Sequence, residues 1–256
     1  MSLLSIRNLT HWFGGLRAVA DFNLELQPGE LTAIIGPNGA GKTTVFNLIT
    51  GVYRPTAGRV TLRGEDLIGK RSPEIISRGI ARTFQNIRLF KELTVLDNVR
   101  VAGYARAGYS PMEALFRLGR FSSEEERTHR ESLEYLQIFG LADMAETTSK
   151  NLPYGQQRRL EIARALTTKP TLLLLDEPAA GMNPAEVERL MELILWIRKE
   201  FQLTIMLIEH QMRVVMGIAE RIKVLNFGET LAEGTPKDIQ NNPRVIEAYL
   251  GKEAVA

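Results

Sequence analysis

Eight residues constrain this chain more than any others: Gly36, Pro37, Asn38, Gly39, Ala40, Gly41, Lys42 and Thr43, which fit the pattern G-x-x-x-x-G-K-[ST]. They lie between a short apolar run, "LTAIIG" (31–36), which reads as a buried strand, and "KTTVFNLITGV", which reads as a helix closed by Gly51. A strand before and a helix after is the context the pattern requires. Glycines let successive backbone N–H groups converge on phosphate oxygens with no Cβ in the way, and the helix N-terminus adds partial positive charge. Lys42 is expected to reach the β- and γ-phosphates of a nucleotide, Thr43 to offer its hydroxyl to Mg²⁺, and Thr44 to continue the cradle into the helix. A glycine-rich turn without function is the competing reading, and the flanking elements weigh against it.

A second acidic element suits the same chemistry. "TLLLLDE" (171–177) is a continuous apolar run ending in two acids, as expected of a central parallel strand. Asp176 at the strand end would hold Mg²⁺ through water, and Glu177 would orient or deprotonate an attacking water. Taken alone, adjacent acids before Pro178 also read as an ordinary helix start.

Bulk properties exclude several other functions. The 256 residues suit one α/β domain, or one domain with a sub-domain, and 44% apolar content is enough for a substantial core. A net charge of +2 gives no sign of a nucleic-acid partner. With no cysteine, disulfides, thiolate metal sites and cysteine nucleophiles are excluded. Three unclustered histidines argue against zinc. No run approaches about 18 apolar residues, so a membrane role needs a partner. "MSLLSIRNLTHWF" carries no signal-peptide pattern.

Along the chain, 3–9 and 19–26 alternate partially and read as strands, with "GRVTLRGEDL" (58–67) as a further strand and turn. From about 92 to 150 helical periodicity dominates, and its dense charge reads as solvated surface. "LTIMLIEH" (203–210) repeats the buried-strand design, 222–234 reads as two short strands around a turn, and a final helix is expected over about 243–251.

In order and setting these motifs resemble the ATP-binding-cassette (ABC) ATPases over nearly the whole chain. After the phosphate loop comes "RTFQNIRLF", with Gln85 at the Q-loop position, then a helical insert and "LPYGQ" at the signature position. The acids Asp176 and Glu177 follow, then "AAGMNP" at the D-loop position and His210 at the switch-histidine position. "HWFGG" upstream puts Phe13 at the adenine-stacking position. Alone, Gln85 also reads as a surface glutamine, His210 as a strand-end histidine, and Phe13 or Trp12 as core. The resemblance implies an α/β fold of P-loop NTPase type: a RecA-like core, an antiparallel β sub-domain from the N-terminal third, and a helical sub-domain at about 92–165 within a single domain spanning 1–256.

It further implies ATP and Mg²⁺ as ligands. Phe13 would stack on adenine. Gln85 would coordinate Mg²⁺ with Thr43 and Asp176 and report to a membrane partner. Glu177 would act as base and His210 would bond the γ-phosphate. Leu152, Pro153, Tyr154, Gly155 and Gln156 would contact ATP held by an opposite subunit. Several segments look like the ATP-binding subunit of bacterial branched-chain amino-acid importers: "RTFQNIRLFKELTVLDNV", "LPYGQQRRLEIARAL" and "LLDEPAAGMNP". That resemblance implies integral-membrane transporter subunits, a solute-binding protein acting indirectly, and a peripheral location on the cytoplasmic face of the membrane. Urea or amide importers and lipid-export complexes are similar alternatives. A soluble ABC ATPase is the more distant one, since neither a long coiled-coil insertion nor a second cassette is present.

The chain departs from the family pattern in two places. Pro153 stands where a serine is usual and Tyr154 where a glycine is, so a hydroxyl and a backbone N–H are missing. The Gly155 N–H, the Gln156 side chain and the helix start remain for a weakened grip; the alternative is that Pro153 only starts a helix. Asn183 stands where the D-loop has aspartate; it can cap the next helix with Pro184 at N1 and Glu186 at N3. Lost interface acid and altered signature together suggest pairing with a different ATPase subunit, with a homodimer as the alternative. Ile87, Leu89, Phe90 and Leu93 either line a groove for a membrane subunit or are sub-domain core.

Overall fold

A computed structural model describes residues 2–106 and 108–250. Elements follow in chain order: β1 (Leu4–Phe13), β2 (Leu16–Leu26), β3 (Leu31–Ile35), α1 (Lys42–Ile49), β4 (Ala57–Leu62), β5 (Glu65–Asp66), α2 (Ser72–Ser77) and β6 (Ile80–Arg82). The helices α3 (Val95–Gly103), α4 (Pro111–Phe116), α5 (Phe121–Ile138) and α6 (Tyr154–Leu166) come next. The chain closes with β7 (Leu172–Asp176), α7 (Pro184–Glu200), β8 (Thr204–Ile208), α8 (Met212–Ile218), β9 (Arg221–Asn226), β10 (Glu229–Gly234), α9 (Pro236–Gln240) and α10 (Pro243–Leu250). Two compact units result: one from the segments up to Arg82 and from Thr171 onward, the other from Thr83–Pro170.

The first unit holds both sheets. One is antiparallel in the order β2-β1-β4-β5; the other runs β10-β9-β3-β8-β7-β6, parallel except for β10. Every residue of β3, β7 and β8 is buried, which explains their unbroken apolar runs: a parallel strand covered on both faces has no solvent side to alternate with. A single apolar cluster joins the two sheets through α1, taking in Leu4, Phe22, Phe46, Ile49, Leu174 and Ile208. Burying such side chains contributes about 1.5–3 kcal/mol each, so the cluster anchors the helix that carries Lys42.

The first hairpin is longer than its alternation predicts. β1 continues to Phe13 and β2 begins at Leu16, with Trp12 opposite Arg17 and Phe13 opposite Leu16. These end residues are exposed, so no buried side imposes a period of two, and register shifts between Ile6 and Trp12 break the alternation further. The second unit is helical and its core includes Val99, Leu136, Phe139, Leu160 and Ile162. It begins nine residues before the expected sub-domain start at 92, because the buried Arg158 of α6 donates to the carbonyls of Phe84 and Gln85. The final helix ends at Leu250 among the described residues, and position 251 lies outside them.

Candidate functional site

Within the first unit, β3 delivers the glycine-rich loop to the N-terminus of α1. Gly36 and Gly41 sit at φ 149° and 100°, in the region that favours glycine. Packing adds a second reason for these glycines, one the motif does not reveal. A Cβ at Gly36 would lie 2.1 Å from the Leu225 carbonyl oxygen, and one at Gly41 would lie 2.4 Å from the Ala18 carbonyl oxygen. The loop is thus wedged against β9 and β2. A Cβ at Gly39 would meet nothing within 4 Å. Pro37 is half-buried, Asn38 exposed, Ala40 buried, Thr43 exposed and Thr44 half-buried. Lys42 is buried, and its Nζ donates to the carbonyls of Gly36 (2.7 Å) and Pro37 (3.0 Å), which holds the ammonium over the loop. Burial lowers its pKa below the ordinary value, while Glu177 and Asp176 act in the opposite direction.

Asp176 and Glu177 reach the same region from the end of β7. Asp176 is buried and its Oδ2 accepts from Arg82 Nη2 at 2.8 Å. Arg82 also donates to Asn47 Oδ1 of α1 at 2.7 Å, so one guanidinium ties β6, β7 and α1 together. Glu177 has φ +46°, a strained conformation for a residue with a side chain and one that recurs at functional turns. Its N–H donates to the Ile208 carbonyl at 2.8 Å, which binds this turn to the end of β8. From β8, His210 Nδ1 lies 3.5 Å from Glu177 Oε2, and the histidine is half-exposed. Phe13 is 42% exposed and therefore not core. It meets His11 edge-on at 4.5 Å and Tyr53 at 5.2 Å, an aromatic group of which sequence reasoning found one member.

The second unit brings Gln85 and the signature segment together. Leu152 is buried, and Pro153 is the N-cap of α6 at φ −54° and ψ 151°. Exposed Tyr154 opens the helix, and Gly155 and Gln156 follow, half-buried. The Gln156 N–H already bonds the Pro153 carbonyl at 3.0 Å. Arg158, fully buried, pairs with Glu161 (2.8 Å) and donates to the Gln85 carbonyl (2.7 Å) and the Tyr154 hydroxyl (3.2 Å). Exposed Gln85 is thereby braced on the helix that carries the signature.

Sequence reasoning missed Arg82, Arg158, Tyr53 and Glu209. A basic residue just before "TFQ" and one just after "GQQ" were visible, but nothing local named their partners. In the D-loop region the capping box is formed: Asn183 Oδ1 accepts from the Glu186 N–H at 3.0 Å, and Glu186 Oε2 accepts from the Asn183 N–H at 3.0 Å.

Residues 19–180 match the family model described as ABC transporter. The chain belongs to the ABC transporter family. Residues 229–255 match a second model, described as branched-chain amino acid ATP-binding cassette transporter. The cassette is 48% identical over 250 residues, 98% of each chain, to the high-affinity branched-chain amino acid transport ATP-binding protein LivG of Escherichia coli. Among solved structures it is similar to an ATP-binding cassette of an ABC transporter in its ADP conformation, with TM-score 0.85, 32% identity, and 98% and 100% of the two chains covered. It is also similar to a dimeric cassette in a post-hydrolysis state bound to ADP and phosphate, with TM-score 0.76, 28% identity, and 91% and 98% covered. The fold is that of an ABC ATPase, and as a cassette this chain binds nucleotide and hydrolyses ATP. Among the described residues no helix is long and apolar enough to cross a membrane.

Proposed function

We propose that this cassette is the ATP-hydrolysing subunit of a bacterial importer for branched-chain amino acids, working at the cytoplasmic face of the membrane on integral-membrane subunits. The full-length 48% identity to LivG carries this reading, and the C-terminal match at 229–255 supports it. In this reading Gly36–Thr44 wrap the phosphates, Lys42 neutralises the β- and γ-phosphoryl charge, and Phe13 stacks on adenine. Glu177 takes the proton of the attacking water, and His210, 3.5 Å away, bonds the γ-phosphate.

Within the first unit, the Thr43 hydroxyl and the Asp176 carboxylate are hard oxygen donors of the kind Mg²⁺ takes, and two such donors leave coordination for phosphate and water. Bound there, the ion would neutralise charge on the transferred phosphoryl group. The Arg82 guanidinium, 2.8 Å from Asp176 Oδ2, holds that carboxylate in place.

The signature segment of one cassette would meet ATP on another, an arrangement favoured by the likeness to a dimeric cassette. The Pro153 and Asn183 departures favour a different ATPase subunit as the partner, with the solute-binding protein acting only through the membrane subunits.

Proteoliposomes holding the full transporter test the solute. ATP-driven uptake of labelled leucine, competed by valine and isoleucine but not by urea, is the expected result. Uptake of urea or an amide without leucine would overturn it.

Phe90 is the proposed contact for the membrane subunit. It is 50% exposed, and its backbone is pinned by Asn98 (2.9 and 3.1 Å) and by the Ser149 hydroxyl (2.9 Å). Ile87, Leu89 and Leu93 beside it are half-buried. Replacing an exposed side chain on a pinned backbone should leave folding intact. Phe90→Asp should cut transport at least about tenfold and leave ATPase activity without membrane subunits within about twofold, as expected when a hot-spot anchor is lost. Unchanged transport would remove Phe90 from the interface.

A further inference from the structure

Glu209 precedes His210 at the end of β8, and its carboxylate is completely buried. Burying a carboxylate is costly unless hydrogen bonds compensate, and three backbone N–H groups converge on this one. Oε1 accepts from Ala179 at 2.8 Å; Oε2 accepts from His210 at 3.0 Å and Gln211 at 3.3 Å. Burial raises its pKa, while these three N–H bonds and His210 oppose the shift.

The bonds join two loops. Ala179 lies in the turn after Glu177, where Ala180 and Met182 donate back to the carbonyls of Glu177 (3.2 Å) and Ala179 (3.2 Å). The Ala179 carbonyl also accepts from Gln211 Nε2 at 3.0 Å. The N–H and the C=O of Ala179 are therefore both held from the histidine loop. With Glu177 N–H on the Ile208 carbonyl, the two loops form one braced unit across the ends of β7 and β8.

We propose that Glu209 is a positioning residue for ATP hydrolysis: a latch that sets His210 opposite Glu177 and makes the turn at 179–182 move with the histidine loop. The proposal rests on the hydrolytic role of Glu177 and His210 given above. It assigns Glu209 no contact with nucleotide. A disturbance at Met182 or Asn183, beside the capped start of α7, would reach His210 through this carboxylate.

Glu209→Gln is the discriminating variant because it keeps size and shape. A carboxylate accepts at both oxygens, whereas an amide presents N–H donors on one side. Whichever way the amide turns, a donor faces at least one of the three N–H groups, and the bracing fails locally. Hydrogen exchange on the whole transporter should show at least tenfold lower protection at the amides of Ala179, His210 or Gln211, with β8 unchanged. ATP turnover should show kcat at least tenfold lower and KM for ATP within about twofold. In a His210→Ala background the same change should cost less than twofold further, because residues acting through one another are non-additive.

Unchanged exchange, an equal additional loss in the His210→Ala background, or KM rising in step with the fall in kcat would each overturn the latch. If the unaltered transporter turns over no ATP while exchange still depends on Glu209, the hydrolytic reading fails and Glu209 is reduced to a structural clasp.

Discussion

Glu177→Gln is expected to lower ATP turnover by about 10²–10⁴-fold, the range a positioned general base contributes, while ATP remains bound. The amide preserves the side chain's size, and the backbone bond from Glu177 N–H to the Ile208 carbonyl does not depend on the carboxylate. What is lost is proton-accepting capacity at the acid whose Oε2 lies 3.5 Å from His210 Nδ1. Single-turnover assay of the reconstituted transporter measures the first effect; turnover within about threefold of the unaltered protein would remove Glu177 from the base role.

Light scattering on the purified variant, with and without ATP, reads the second. ATP-dependent dimers would mean that a signature starting with Pro153 and Tyr154 still grips nucleotide in trans and that the serine is dispensable. A monomer with ATP bound would mean that the sandwich is completed by another subunit, in line with the altered signature and Asn183.

Lys42→Ala is expected to weaken ATP binding about 10- to 100-fold, since a hydrogen bond to a charged group is worth about 1.5–3 kcal/mol and this ammonium is the cation held over the loop. Stability should change little. Two loop carbonyls lose a donor, but a buried ammonium whose pKa is already lowered by desolvation is removed as well. Titration of a fluorescent ATP analogue checks the affinity, and a thermal melt checks the fold. Affinity retained within threefold would dissociate the loop from nucleotide binding.

The two experiments separate binding from chemistry. Lys42 acts where the phosphates sit before reaction, and Glu177 acts on the proton that moves during it. A variant of the first should spare kcat at saturating ATP more than KM, and a variant of the second should do the reverse.

Legibility in the sequence followed distance along the chain. The phosphate loop was readable because glycines, lysine and flanking apolar runs fall within about 20 residues and obey local backbone rules. The capping box of Asn183 and Glu186 was readable for the same reason: its two bonds span three residues. The limits of β1 and β2 were not, because their exposed ends pair by backbone bonds that place no demand on side-chain polarity. Nor was the double constraint on Gly36 and Gly41, which comes from carbonyls of Leu225 and Ala18 on other strands.

Hydrogen bonds of buried charged side chains show the same division most sharply. Arg82 meets Asp176 across 94 positions, Arg158 meets the Phe84 carbonyl across 74, and Glu209 meets Ala179 across 30. Short-range chemistry, namely glycine's conformational freedom, capping side chains and apolar periodicity, settled that this chain has a nucleotide loop, a buried acidic strand end and a family resemblance. Strand order settled the rest. Because β8 lies between β3 and β7, the loops at their ends are brought side by side. Which buried charge faces which backbone N–H then depends on three-dimensional neighbours that no local pattern encodes.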